Sequence, residues 1–303
     1  MRTNIGRLNR HLFTLYLVTA SDFVSVLIPQ TMFASFSILS GKFRHGRTSM
    51  PISVLSARLP AVVFWIWLQL LVLDLANQRL PDSVAEDRLN KPWRPIPSGR
   101  LTCSGAKDLL IFSIAFTFVA SVLLLGGVYE TLVLFALNWL YNDLGLANSH
   151  WFLRNLLNSL GITAIGAGAM AVGQQGLDAP LDWDAAHWWL FLCAGVLMTT
   201  IQAQDLYDQA GDAARHRSTA PLVLGDTAAR WSVAIPVVAW SVAMPALVGL
   251  QIPEHYIGYA VPACTGVTLA ARVLTRRSVP DDKATFRLWA VWCVLLYALP
   301  MAI

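Results

Sequence analysis

The sequence predicts an all-α protein held in a lipid bilayer, a polytopic transmembrane bundle of about nine helices. Three observations carry that expectation. Of the 303 residues, 56% are hydrophobic and only 13% are charged, roughly half the charged share of a water-soluble domain. Mean hydropathy is +0.54, which is more apolar surface than one water-exposed core hides and which a bilayer accommodates. The third is spacing: apolar runs near the length of a bilayer crossing recur along the whole chain, and the 12 tryptophans fit an interfacial belt.

Taken in order, the candidate spans are 12–39, 52–76, 107–126, 128–146, 151–173, 186–205, 231–251, 256–275 and 286–303. The first carries Asp22, Pro29 and Gln30, so it is expected to be kinked or broken. It lacks a small-residue cleavage site and reads as a retained span rather than a removed signal. The third and fourth are separated by Gly126 and Gly127, the signature of a tight hairpin. Residues 1–303 read as a single transmembrane domain.

Basic residues set the expected topology. With the N-terminus in the cytosol, eighteen of the 22 Lys and Arg fall on the cytosolic side, leaving Lys42, Arg44, Arg47 and Arg58 opposite. The net charge of +4 is therefore a topology signal and not a nucleic-acid footprint. Cys103, Cys193, Cys264 and Cys293 are scattered with no CxxC pair, which argues against a zinc site or a disulfide framework. No obligate protein partner is evident. With no long Arg- and Ser-rich leader before the first span, the expected membrane is the endoplasmic reticulum.

Two cytosolic loops, after the second and sixth spans, are rich in acids. They lie four helices apart, which suggests two pseudo-equivalent four-helix halves. The first runs from Asn77 to Arg100, with Asp82 and Glu86 four residues apart and hence on one helical face, and Asp87 adjacent. The second places Asp205, Asp208 and Asp212 at i, i+3 and i+7, a single stripe on a helix extending from the sixth span. Like charges at helical spacing repel unless a cation sits among them. Magnesium takes hard oxygen ligands, one or two of them carboxylates, and completes its shell with water and phosphate. Lys91, Arg94, Arg215 and Arg217 flank the two clusters and supply charge-assisted hydrogen bonds to phosphate oxygens. The pattern therefore suits a diphosphate bridged by several metal ions.

Polar residues within spans are costly and mark function by default. Asp22 in the first span and Asn138, Asn142 and Asp143 in the fourth are the leading ones, followed by Arg154, Asn155 and Asn158 in the fifth. Asp74, one turn before Asn77, supports the first cluster from behind. Trp139, Tyr141 and Tyr207 are candidate aromatic faces for a cation.

The segment ending Lys91-Pro92-Trp93-Arg94-Pro95-Ile96-Pro97-Ser98-Gly99 resembles the first Asp-rich motif of the UbiA superfamily of intramembrane prenyltransferases. Gln204 to Asp212 is similar to the superfamily's second motif, D-x2-D-x3-D followed by basic residues. Glu86 to Trp93 is most like a fungal branch that holds secondary-metabolite prenyltransferases and membrane-bound terpene cyclases. The first motif departs from the commoner N-D-x2-D-x3-D: Gln78 replaces an acid, and counting back from Arg94-Pro95 puts Ser83 where the middle acid is expected. Two ligand sets stay open for the first metal: Asp82 with Glu86, or Asp87 with help from Asn77.

The resemblance implies magnesium-dependent ionisation of an allylic C10 or C15 diphosphate. The prenyl group then passes to a small aromatic acceptor such as a hydroquinone or hydroxybenzoate, with the site facing the cytosol. Asp82, Glu86, Asp87, Asp205, Asp208 and Asp212 are the implied catalytic metal ligands; Asn77, Lys91, Arg94, Arg215, Arg217, Asn142, Asp143 and Asp22 are the implied substrate contacts. The alternative outcome is cyclisation of farnesyl diphosphate with no acceptor. A transporter would place such acids near the bilayer midplane, whereas these sit at a membrane edge.

Overall fold

The computed structural model describes residues 2–46, 49–176 and 180–302, with side chains from Leu8 onward; Arg47, expected opposite the acidic loops, lies outside the described residues. Among them every regular element is helical, and one isolated antiparallel bridge joins Arg44 to Leu181.

In chain order, α1 (Arg2–Thr19) passes through a 3-10 turn (Ala20–Asp22) and a π turn (Phe23–Leu27) into α2 (Ile28–Ser40). Then come α3 (Ile52–Gln78), the short α4 (Pro81–Asn90), and α5 (Cys103–Ala120), which ends in a π turn (Ser121–Leu125). α6 (Val128–Asn138) also ends in a π turn (Trp139–Asp143) and is followed by α7 (Leu146–Ser149) and α8 (Trp151–Gln174). α9 (Trp183–Thr200) tightens into a 3-10 segment (Ile201–Leu206) before α10 (Gln209–Ala214) and α11 (Ala220–Leu224). Three long helices close the chain: α12 (Asp226–Leu247), α13 (Tyr256–Thr275) and α14 (Val279–Tyr297).

Among the described residues, eight segments are long and apolar enough to cross a bilayer. The ninth expected span, 128–146, is the 11-residue α6 with its π turn, shorter than its apolar run suggests. The first span breaks at the polar residues that announced it. Pro29 has no N–H and its ring crowds the carbonyl of Ser25; the ladder widens there, and Ile28 N–H bonds back to Phe23 instead. Gly126 and Gly127 turn the α5–α6 hairpin with φ of 84° and 66°, a region closed to most side chains.

α12 and α14 begin several residues before their apolar stretches at 231 and 286. Their opening charges neutralise one another: buried Arg230 donates to Asp282 at 2.8 Å, to Asp226 at 2.9 Å, and to the carbonyl of Val273 at 2.9 Å. Paired charges allow a helix to run past the limit that hydropathy sets.

The halves repeat. α2 packs on α3 as α8 packs on α9, α3 on α5 as α9 on α12, and α5 on α6 as α12 on α13; α14 closes the ring against α2. At the centre, α8 meets α2 and α3 through glycines. An added Cβ at Gly168 would stand 2.1 Å from Trp65, at Gly173 2.3 Å from Ile38, and at Gly166 2.7 Å from Gln30. Small residues let helices approach closely where lipid offers no hydrophobic drive to press them together. Each acidic segment follows the second helix of its half, so both emerge at the same end of the bundle.

Candidate active site

At that end, a cavity of about 450 Å³ reaches into the bundle. Three of its walls are the interrupted turns at 20–27, 139–143 and 201–206, through Asp22, Tyr141 with Asn142, and Gln204 with Asp205. Irregular backbone at membrane depth persists where it lines a cavity, and π turns gather at such sites.

Polarity falls along four of the walls with distance from the loops. On α3 the lining passes from Asn77 and Asp74 to Leu73 and Leu70, and on the α6 segment from Asn142 and Asn138 to Leu137 and Leu134. On α8 it passes from Arg154 and Asn158 to Ile162 and Ile165, and on α14 from Lys283 and Arg287 to Trp289 and Ala290. The cavity is ionic at the loop end and hydrocarbon at depth.

The two acidic segments meet. Asn90 donates to Asp208, Lys91 stands 3.9 Å from Asp208, and Glu86 accepts from Arg215 at 3.1 Å and Arg217 at 3.0 Å. Gly211 permits the approach of α10 to α4: a Cβ there would lie 1.9 Å from the Asn90 side-chain nitrogen.

The second stripe is not one α-helix. Asp205 sits on the 3-10 segment, Asp208 stands in the turn just before α10 without a capping bond, and Asp212 lies within α10. The change of pitch separates the three acids, and each has its own cation. Arg154 donates to Asp205 at 3.0 and 3.1 Å, Lys91 faces Asp208, and Arg217 donates to Asp212 at 3.0 Å. Asp205 and Asp208 line the cavity, whereas fully buried Asp212 is turned to Arg217. Burial raises the Asp208 carboxyl above its ordinary value despite Lys91, with Asp212 and Glu86 adding to the rise.

The first motif divides likewise. Asp82 opens α4 facing solvent and lies off the cavity; its side chain starts the helix one turn nearer the outside than Glu86. Glu86 is buried in the wall. Burial works against its charge, but Arg217 and then Arg215 outweigh that and hold its carboxyl below the ordinary value. Asp87 points elsewhere and accepts from Arg94 at 2.9 and 3.1 Å; there burial prevails and raises the carboxyl. Arg94 reaches the cavity and also donates to Ser21 at 3.1 Å, tying the loop to the break in the first span. Gln78, standing where the family carries an acid, is a buried tie that donates to the Val18 carbonyl at 2.7 Å.

Among the expected substrate contacts, Asp22, Asn77, Lys91, Arg94, Asn142 and Arg217 line the cavity. Asn77 donates to Asn142 at 2.8 Å, and Asn142 to Asn138 at 2.6 Å, an amide chain across the wall. Arg215 is spent on Glu86, and Asp143 pairs with Arg79; neither lines the cavity. Trp139 is exposed, while Tyr141 accepts from Arg154 at 2.6 Å.

Several lining groups were not singled out in the sequence. Asn90 lies four residues after Glu86 on the same face, a signal hidden by its neutrality. Lys283 and Arg287 belong to the basic stretch 272–287, which in the sequence reads as a topology signal. Phe286 and Trp289 form an aromatic wall with Tyr207, with centroids 5.7 Å apart from Tyr207 to Phe286 and 5.2 Å from Phe286 to Trp289; nothing in their spacing set them apart from core.

The residues suit a magnesium-bridged diphosphate sparsely. Among the described residues no three acids, histidines or cysteines converge as a ready-made cage. Oδ2 of Asp205 is nevertheless buried without a hydrogen-bond partner, and magnesium asks for only one or two carboxylates when phosphate and water fill the remainder.

Known proteins give the same picture. Over 293 residues the chain is 30% identical to the somaliensene A/B synthase of Streptomyces somaliensis, covering 95% of this chain and 92% of that one. It is 32% identical over 217 residues to a polyprenyl transferase of Hericium erinaceus, covering 70% and 68%. Among solved structures, a UbiA homolog from Archaeoglobus fulgidus bound to GPP and Mg2+ superposes with a TM-score of 0.64 over 96% of this chain and 99% of that one, at 12% identity. With residues 53–292 matching the family model as well, the chain belongs to the UbiA prenyltransferase family.

Proposed function

We propose that this enzyme binds an allylic prenyl diphosphate with magnesium at the loop end of the cavity, ionises it, and acts as a terpene cyclase: the released cation closes onto its own chain and then loses a proton to the departed diphosphate, leaving a neutral cyclic hydrocarbon. One observation carries the ionisation: a single cavity that is cationic and carboxylate-lined at its mouth and hydrocarbon-lined at depth fits a diphosphate head and a prenyl tail together. The solved homolog bound to GPP and Mg2+ supports the same pairing of ligands.

Asp205 and Asp208 are the residues that would hold magnesium, with Glu86 and Asn90 beside them. The metal, when bound, neutralises charge developing on the leaving oxygen. Lys91, Arg94 and Arg217 orient the diphosphate by charge-assisted hydrogen bonds, and preorganised donors of this kind act most strongly where water is excluded. The apolar depth keeps water from the cation, and the faces of Phe286 and Trp289 stabilise it through their π electrons.

Cyclisation is favoured over transfer because likeness to a synthase extends over nearly the whole chain, against about two thirds for the transferase. Transfer to a small phenol is the second reading; the unpartnered Asn158 Nδ2 in the wall would suit an acceptor oxygen. We place the cavity mouth on the cytosolic face of the endoplasmic reticulum, in line with eighteen of 22 basic residues on that side.

The test is purified protein in lipid vesicles with magnesium and prenyl diphosphates from C10 to C25, with and without a phenolic acceptor. A cyclic hydrocarbon formed without acceptor, with chelation abolishing turnover, is the expected result. Product only with the phenol would establish transfer; no diphosphate release from any chain length would overturn both readings.

A further inference from the structure

α8 holds four glycines on its course from Trp151 to Gln174, and they divide by what surrounds them. Gly166, Gly168 and Gly173 are required by packing, since an added Cβ would stand within 2.7 Å of Gln30, Trp65 or Ile38. Gly161 is different. No heavy atom lies within 4 Å of where its Cβ would be, and its backbone is ordinary helix. It nevertheless sits on the cavity wall with Asn158, Ile162 and Ile165.

Glycine inside a helix costs about 1 kcal/mol relative to alanine, and here no neighbour on the protein side demands it. The space it leaves belongs to the cavity. Gly161 follows Arg154 by two helical turns, a drop of roughly 10 Å at 1.5 Å per residue. That places it beyond the ionic mouth, at the level where Asn158 gives way to Ile162 and Ile165. An added side chain would project into the room that the hydrocarbon tail uses, without touching the groups that hold the head.

Resting on the diphosphate reading above, we propose that Gly161 sets the length and folding of the prenyl chain this cavity accepts. A side chain at 161 shortens the usable depth and leaves ionisation chemistry intact.

The experiment compares wild type with G161A and G161L in vesicles, supplying geranyl, farnesyl, geranylgeranyl and geranylfarnesyl diphosphates with magnesium. kcat/KM and product profile are read for each. For G161L, kcat/KM for the longest accepted diphosphate falls about tenfold or more, the scale on which apolar pockets discriminate small changes of bulk. A substrate one isoprene shorter is retained within about threefold, on the same scale. G161A keeps the thermal midpoint of the wild type or raises it, and shifts the product ratio in the same direction. An unchanged chain-length profile, or an equal loss for every length, overturns the inference. If leucine prevents folding, the alanine variant decides, because a methyl meets nothing in the wall. Failure of the wild type to ionise any diphosphate is a separate result and strikes the diphosphate reading instead.

Discussion

The two acidic segments look interchangeable in the sequence, yet they do different things in the fold. In the first, charge is spent on structure. Glu86 is clasped by Arg215 and Arg217, Asp87 by Arg94, and Asp82 is left in solvent. In the second, Asp205 and Asp208 face the cavity, and a buried oxygen of Asp205 has no hydrogen-bond partner. Equivalent position in a repeated architecture does not confer equivalent duty. One half supplies ion pairs that tie the two segments together, and the other half turns two carboxylates to the cavity.

Breaking these ion pairs should have the largest consequence. Glu86→Gln leaves buried Arg215 without its carboxylate and Arg217 with Asp212 alone, a change on the order of 3–5 kcal/mol when a buried pair loses one member. The expected result is a sharply lower thermal midpoint together with lost activity. A stable Glu86→Gln protein that only fails to turn over would mean Glu86 is a ligand and not a tie.

Asp208→Asn should do the reverse. Its partners are the amide of Asn90 and a loosely placed Lys91 at 3.9 Å, so stability changes little. Magnesium-dependent diphosphate release should fall about 10²–10³-fold, the scale on which one preorganised electrostatic group is felt. Wild-type rates in this variant would sink the assignment of the second segment to the ligand. Asp82→Asn closes the series as the mildest change. At an exposed position outside the cavity, it should alter stability by about 0.5 kcal/mol or less and leave turnover near that of wild type. A collapse of activity would restore Asp82 to the metal set.

These contrasts also mark what the sequence could tell. The helices were readable because twenty-residue apolar runs have few other uses, and the hairpin at Gly126–Gly127 and the break near Pro29 follow from single-residue chemistry. The loops that meet were readable from their charges. Which carboxylate enters the cavity was not. Asp82 and Glu86 share a helical face, but a ten-residue helix lies across the bundle end, so one turn separates solvent from interior. Asp205, Asp208 and Asp212 fit an α-helical stripe only if the α-helix continues, and it tightens to 3-10 geometry at Ile201. Lys283 and Arg287 reach the site from α14, more than seventy residues past the second motif, a proximity that only tertiary packing creates.

The contact at Gly211 has a consequence for how the mouth is sized. Since one more carbon there would collide with Asn90 at 1.9 Å, the gap between the α4 and α10 walls is governed by a hydrogen atom. Position 211 thus behaves as a spacer of minimum thickness, and the separation of the two walls at the cavity mouth is calibrated by what has been left out of the chain.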